Sequence, residues 1–247
     1  MADDSFGAYD DFWLFGYGSL IWKPPPHYDQ RVPGYIEGYV RRFWQASEDH
    51  RGTPEAPGRV VTLIDRAHWE TLVDEHPSPH LTWGAAYHIP QQHVAEVRNY
   101  LDIREINGYS IQYTPFHPSH SAADPSPPKP IKCLVYIGLP SNPQFLGPQD
   151  PQELAAHILK SRGPSGENRE YLFMLEEALL GLSPESGDGH VSDLVARSRE
   201  IEAEEKVKKG VHGENGDAKD ADGRRADIGG AELHKVGSTE EQEEVEK

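Results

Sequence analysis

Apolar and polar positions alternate or step along the chain in a way that divides it into a strand-rich front and a helical rear. Residues 12–22 form an apolar run with Gly16, Gly18 and Ser19 at its centre, which predicts a first strand entering a tight turn. Lys23-Pro-Pro-Pro26 ends it, because proline brings no donor to a ladder. Residues 34–47, rich in aromatic and β-branched side chains, predict one long strand. Further strands are predicted over 59–64, 82–89, 109–116 and 131–138, with loops over 49–58, 68–81 and the Pro/Ser-rich stretch 117–130. Pro90 opens a helix as proline does in a first turn, and Val94, Val97 and Leu101 step along one of its faces, with Gly108 closing it. Two amphipathic helices are predicted over 151–161 and 168–182, and a third from Val191 to about Lys208. Strands, one helix, strands again and then helices make an α+β chain with a mixed, strongly curved sheet.

The residues that could carry chemistry fall on three of these stretches. In the first turn Gly16 and Gly18 lack a Cβ, so the backbone can take positive φ and approach a bound group with its N–H donors. The turn is either a ligand loop or a glycine-containing strand end. It is not a dinucleotide fingerprint, since Ile21 stands where a third glycine is needed, and it has no G-x-S-x-G elbow. The second stretch is the helical stripe, whose next step of four after Leu101 lands on Glu105. A carboxylate there meets apolar surroundings and the negative end of the helix dipole. Both disfavour its anion and suit it to proton transfer near neutral pH; the alternative is a frayed helix with Glu105 paired to Arg104 or Lys132 in solvent. The third is a window holding Arg41, Arg42, Arg51 and Arg59, which either form ordinary ion pairs or make a positive spot for a carboxylate-bearing small molecule.

Composition narrows the class. A formal net charge of −17 excludes a surface built to neutralise nucleic-acid or anionic-membrane phosphates. Residues 203–247 carry 13 acidic and 8 basic side chains, a net −5 that leaves −12 for the rest, so the front of the chain is acidic in its own right. That tail has no aromatic residue and little apolar content, and it is expected to be disordered, as is an acidic leader over 1–10. The domain is expected over 11–202. One thiol, Cys133, on a buried strand, reads as a small core residue; with a polar N-terminus it points to the reducing cytoplasm. His76 and His80 have helical metal-ligand spacing, but Pro77 and Pro79 forbid the helix, and no metal site is expected there.

Nine blocks, in order, carry a resemblance: Phe15-Gly-Tyr-Gly-Ser-Leu-Ile-Trp-Lys23, Arg41-Arg-Phe-Trp-Gln45, Asp49-His-Arg-Gly52, Pro57-Gly-Arg-Val-Val-Thr-Leu63, Tyr100-Leu-Asp-Ile-Arg-Glu-Ile-Asn-Gly-Tyr109, Tyr136-Ile-Gly138, Leu146-Gly-Pro148, Gly163-Pro-Ser-Gly166 and Glu170-Tyr-Leu172. Together they resemble the ChaC-type, glutathione-specific γ-glutamylcyclotransferases from about Trp13 to about Leu182. The resemblance implies a small mixed β-barrel flanked by helices and cleavage of glutathione to 5-oxoproline and cysteinylglycine without cofactor or metal. It puts the family's essential glutamate on Glu105 and its substrate loop on Leu14, Phe15, Gly16, Tyr17, Gly18 and Ser19. Backbone donors from Tyr17 to Leu20, Tyr109 near the reacting centre, and Arg59 or Arg51 against a substrate carboxylate complete the expected site. A cyclotransferase for other γ-glutamyl amino acids or amines, and a catalytically silent binding module working through its tail, are the competing readings. The sequence names no protein partner.

Overall fold

The computed structural model describes residues 12–104, 109–120 and 128–214. Its elements are β1 (Phe12–Gly16), β2 (Gln30–Glu37), β3 (Tyr39–Ser47), β4 (Gly58–Asp65), α1 (Arg66–Trp69), β5 (Leu81–Ile89), α2 (Val94–Arg104), β6 (Tyr109–Pro118), β7 (Ile131–Gly138), α3 (Pro151–Lys160), β8 (Arg162–Gly163), β9 (Gly166–Glu167), α4 (Asn168–Leu180) and α5 (Gly189–Glu214). Single 3-10 turns occupy Ser19–Ile21 and Gln91–His93. Strands β1-β5-β2-β6-β7 close into a barrel. The β1–β7 pair is parallel and the other pairs antiparallel, so the barrel is mixed, as the sequence implies.

Residues 34–47 are two strands rather than the one expected. Gly38, between β2 and β3, has φ +84°, a left-handed conformation that glycine takes without a Cβ clash. Through it the chain leaves the barrel, and β3 pairs with β4 in a separate two-stranded ribbon. Periodicity could not show this, because the apolar pattern continues across the break while its partner changes.

Two apolar clusters hold the fold. One joins the ribbon and the barrel to helices α3, α4 and α5, through residues such as Phe43, Trp44, Leu154, Leu172 and Leu194. The other lies under α2, where Val97 and Leu101 pack with Leu14, Leu20, Tyr87 and Leu134. Cys133 is fully buried, and burial pushes its thiol well up, which fits its reading as a core residue. Helix α5 passes through Ala203 to Glu214, beyond the expected end near Lys208, while the compact unit closes at Val207. The leader over 1–10 and residues 215–247 of the tail lie outside the described residues.

The start of α5 is seated by a buried histidine pair. The backbone N–H of Phe43 donates to His190 Nε2 at 3.1 Å, which leaves the ring proton on Nδ1 to donate to His76 Nδ1 at 3.2 Å. His76 in turn donates from Nε2 to Asp193 at 2.9 Å. This chain works only with both rings neutral. Burial, followed by the charge of Arg42, holds His190 well below its ordinary 6.5. Its folded-state pKa is depressed, so its contribution is complete above about pH 6.5 and is lost as pH falls below that value, where the unfolded chain takes up a proton that the folded one refuses. Urea unfolding at pH 7.5 and 5.5 checks it: the loss of stability in wild type is expected to exceed that in His190→Gln, and equal losses would remove His190 as the cause.

Candidate active site

Strand β1 ends at Gly16, and the chain turns through Tyr17 and Gly18 into the 3-10 turn Ser19–Ile21. Neither glycine has positive φ among the described residues; close approach is what excludes a side chain. A Cβ on Gly16 would stand 2.7 Å from Leu20 Cβ, and one on Gly18 would stand 3.0 Å from the Tyr171 hydroxyl and 3.1 Å from Val61 Cγ2. The turn is therefore pressed between its own next residues, α4 and β4. Leu14, Phe15 and Leu20 are buried in the core, so these three can offer a ligand their backbone but not their side chains.

The turn is braced from the face of the barrel that α2 covers. The Tyr87 hydroxyl on β5 donates to the carbonyl of Leu20 at 2.6 Å, and Arg31 reaches the Tyr87 oxygen at 3.3 Å. Burial pushes the Tyr87 hydroxyl above its ordinary value, so it stays a neutral donor. The Ile21 amide is tied back to Gly18 O at 2.9 Å, and those of Trp22 and Lys23 to Ser19 O at 3.2 and 2.8 Å. Sequence reasoning did not single out Tyr87, Val61 or Tyr171 as the walls of this turn. Tyr171 and Val61 lay inside recognised blocks and Tyr87 on a predicted strand; neither signal says which loop a side chain faces.

The four arginines are each committed to their own acceptors. Arg41, 2% exposed, pairs with Asp188 at 3.1 Å and donates to Trp83 O. Arg42, 1% exposed, pairs with Asp74 at 2.5 Å. Arg51 donates to Glu167 O at 2.8 Å, pairs with Glu170 at 3.4 Å and lies over the Tyr171 ring. These three are internal ties, because each guanidinium is already neutralised by a carboxylate. Arg59 differs: among the described residues its guanidinium meets only the neutral acceptors Gln149 Oε1, Pro57 O and Gly58 O, each at 3.0 Å. Partial burial lowers its pKa from 12.5, and no carboxylate offsets the charge. Strand alternation puts Arg59 on the same face of β4 as Val61, the residue that touches the glycine turn. The fully buried Asn168 fixes this point of β4, accepting from Arg59 N at 2.6 Å and donating to Arg59 O at 2.7 Å.

Glu105 and Gly108 lie outside the described residues, and Tyr109 is described only as the first backbone position of β6, paired with Gly138. Helix α2 is described to Arg104, one position before the expected glutamate. Its Val97 and Leu101 pack in the cluster that holds Leu14 and Leu20 of the glycine turn. The stripe on which Glu105 is the next step thus faces the core beneath that turn.

A family signature described as ChaC-like protein matches residues 12–201. The chain belongs to the ChaC-like family. Among similar ChaC-like proteins, one named glutathione-specific γ-glutamylcyclotransferase from Schizosaccharomyces pombe is 48% identical over 189 residues, 76% of this chain and 92% of that one. A protein named glutathione-specific γ-glutamylcyclotransferase 1 from Homo sapiens is 38% identical over 185 residues, 74% of this chain and 76% of that one. A crystal structure of a yeast γ-glutamyl cyclotransferase specific to glutathione aligns with a TM-score of 0.69 at 37% identity, covering 77% of this chain and 96% of that one. The barrel flanked by helices is therefore the γ-glutamylcyclotransferase type of α+β fold that the sequence implied for this ChaC-like chain. None of its described helices is long and apolar enough to cross a membrane.

Proposed function

We propose that this chain is a glutathione-degrading γ-glutamylcyclotransferase acting by intramolecular attack. The α-amine of the γ-glutamyl group forms a bond to its own γ-carbonyl carbon, and the amide bond to cysteine breaks. The products are 5-oxoproline and cysteinylglycine. No enzyme nucleophile takes part, so holding the substrate folded supplies much of the rate. The amine gives up a proton and the leaving nitrogen gains one. Glu105 carries that proton, as base and then as acid. Amides from Tyr17 to Leu20 receive the oxygen on which charge develops or the glutamyl carboxylate, with the turn of Leu14, Phe15, Gly16, Gly18 and Ser19 as the cradle. Arg59, which alone among Arg41, Arg42, Arg51 and Arg59 has no carboxylate partner among the described residues, meets a substrate carboxylate, and Tyr109 serves beside the reacting centre.

The observation that carries this reading is the shared core of α2 and the glycine turn, which brings the stripe leading to Glu105 and the donor loop to one side of the barrel. The names of the relatives support glutathione as the substrate. An assay of 5-oxoproline release from glutathione and from γ-glutamylalanine tests it, run on the full chain and on a chain ending at Val207. Faster turnover of glutathione, equal in both chains, is expected, because Val207 closes the compact unit and the ion pair to α4, Arg169–Glu202 at 3.1 Å, is retained. No product from either substrate would favour a silent binding module. A rate that collapses on truncation would make the tail part of the catalytic domain.

A further inference from the structure

Away from this turn, two segments bring three donor side chains together. Glu96, in the first turn of α2, accepts a bond from His27 at 3.0 Å, across 69 positions of sequence. Its other oxygen lies 3.6 Å from His93 Nδ1. The His27 and His93 rings stack with centroids 4.1 Å apart and planes 5° from parallel. One donor atom from each of the three residues falls within 4.8 Å of the others.

Neutral imidazole offers a lone pair to a metal, and both rings stand beside the same carboxylate. His27 has φ +60°, which no other non-glycine residue shares among the described ones, and a left-handed backbone is uncommon outside glycine. Three prolines, Pro24 to Pro26, hold the chain just before it and limit the freedom lost on binding. The side chains of Glu96, His27 and His93 are 63%, 38% and 33% exposed, so water can complete a coordination shell.

We propose that His27, His93 and Glu96 form a binding site for a divalent transition metal, of which Zn²⁺ suits the donors best. Two imidazoles and one carboxylate with open positions for water make a recurrent zinc set, whereas Mg²⁺ and Ca²⁺ call for oxygen ligands. The ion would tie the segment following the glycine turn to the start of α2, the helix that leads to Glu105. Its role is to hold these two segments together.

Calorimetric titration of the full chain with ZnCl2, after chelator treatment and desalting and with no glutathione present, tests the site without using activity. One equivalent is expected to bind in wild type. His27→Ala and His93→Ala are expected to weaken that event about tenfold or more, and His80→Ala to leave it unchanged. Saturating Zn²⁺ at about a hundred times the dissociation constant is expected to raise the melting temperature of wild type by roughly 5–10 °C, with no such rise in His27→Ala. Absence of a one-equivalent event in wild type would overturn the proposal. So would binding that survives both histidine replacements, which would place the ion elsewhere. Unweakened binding to Glu96→Gln would remove the carboxylate from the set and with it the three-donor site.

Discussion

Glu105→Gln is expected to abolish release of 5-oxoproline from glutathione while leaving the fold unchanged. The replacement keeps the size and hydrogen-bonding reach of the side chain but removes its ability to take up and return a proton. Loss of a positioned acid–base group costs about 10²–10⁴-fold in rate, and here one group is asked to serve both steps, so the upper end of that range is expected. The effect belongs in kcat, with glutathione binding largely retained, because the cradle and Arg59 are untouched. Steady-state kinetics with a product assay, alongside a melting curve, separate these cases. Turnover within tenfold of wild type would refute the role assigned to Glu105. A large drop in melting temperature would instead make the residue structural.

Gly52→Ala is expected to cost a large share of the stability of the domain. A Cβ at Gly52 would stand 2.0 Å from Gly58 N and 2.6 Å from Ala56 O. Gly58 would meet Arg51 O at 2.3 Å, and Gly163 would meet His50 O at 2.3 Å and Gly52 N at 2.5 Å. Three backbone segments thus press on one another with no room for a methyl group, and the atoms closest to a Cβ on Gly52 are all main chain, which cannot swing aside. Overpacking a core commonly costs about 1–3 kcal/mol where side chains can adjust, so a loss above about 3 kcal/mol is expected where backbone must move. Against a total of roughly 5–15 kcal/mol for a domain, that is a large share. The knot also anchors Arg51, which holds Glu167 O, and the start of β4, so activity is expected to fall with stability. Urea unfolding of Gly52→Ala beside Gly189→Ala, whose added Cβ would meet nothing within 4 Å, is the measurement. Similar midpoints for the two variants would show that the knot gives way easily.

These three glycines show where reading the chain works and where it stops. Asp49-His-Arg-Gly52, Pro57-Gly-Arg59 and Gly163-Pro-Ser-Gly166 were visible as blocks, and Arg51 beside them looked suited to a substrate carboxylate. The fold instead uses the glycines for backbone contact and commits Arg51 to Glu167, Glu170 and the Tyr171 ring. Arg59 in the middle block is left with neutral acceptors among the described residues, a distinction that residue type does not carry. The glycine turn was legible as a tight turn after a first strand, but the reason for its glycines differed: crowding by Leu20, Tyr171 and Val61 rather than positive φ.

The sequence by itself determined most elements, since the spacing of apolar residues records which side of each strand or helix meets the core. Strand β7 over Ile131–Gly138 and the Val94, Val97 and Leu101 stripe of α2 stand where that spacing put them. Only the tertiary structure decided the break at Gly38, the neutral pairing of His76 with His190, the partner of each arginine, and the meeting of His27 with Glu96. Each of these depends on residues far apart in sequence that closure of the barrel brings within a few ångströms, and a pattern repeating every two to four residues holds no information at that range.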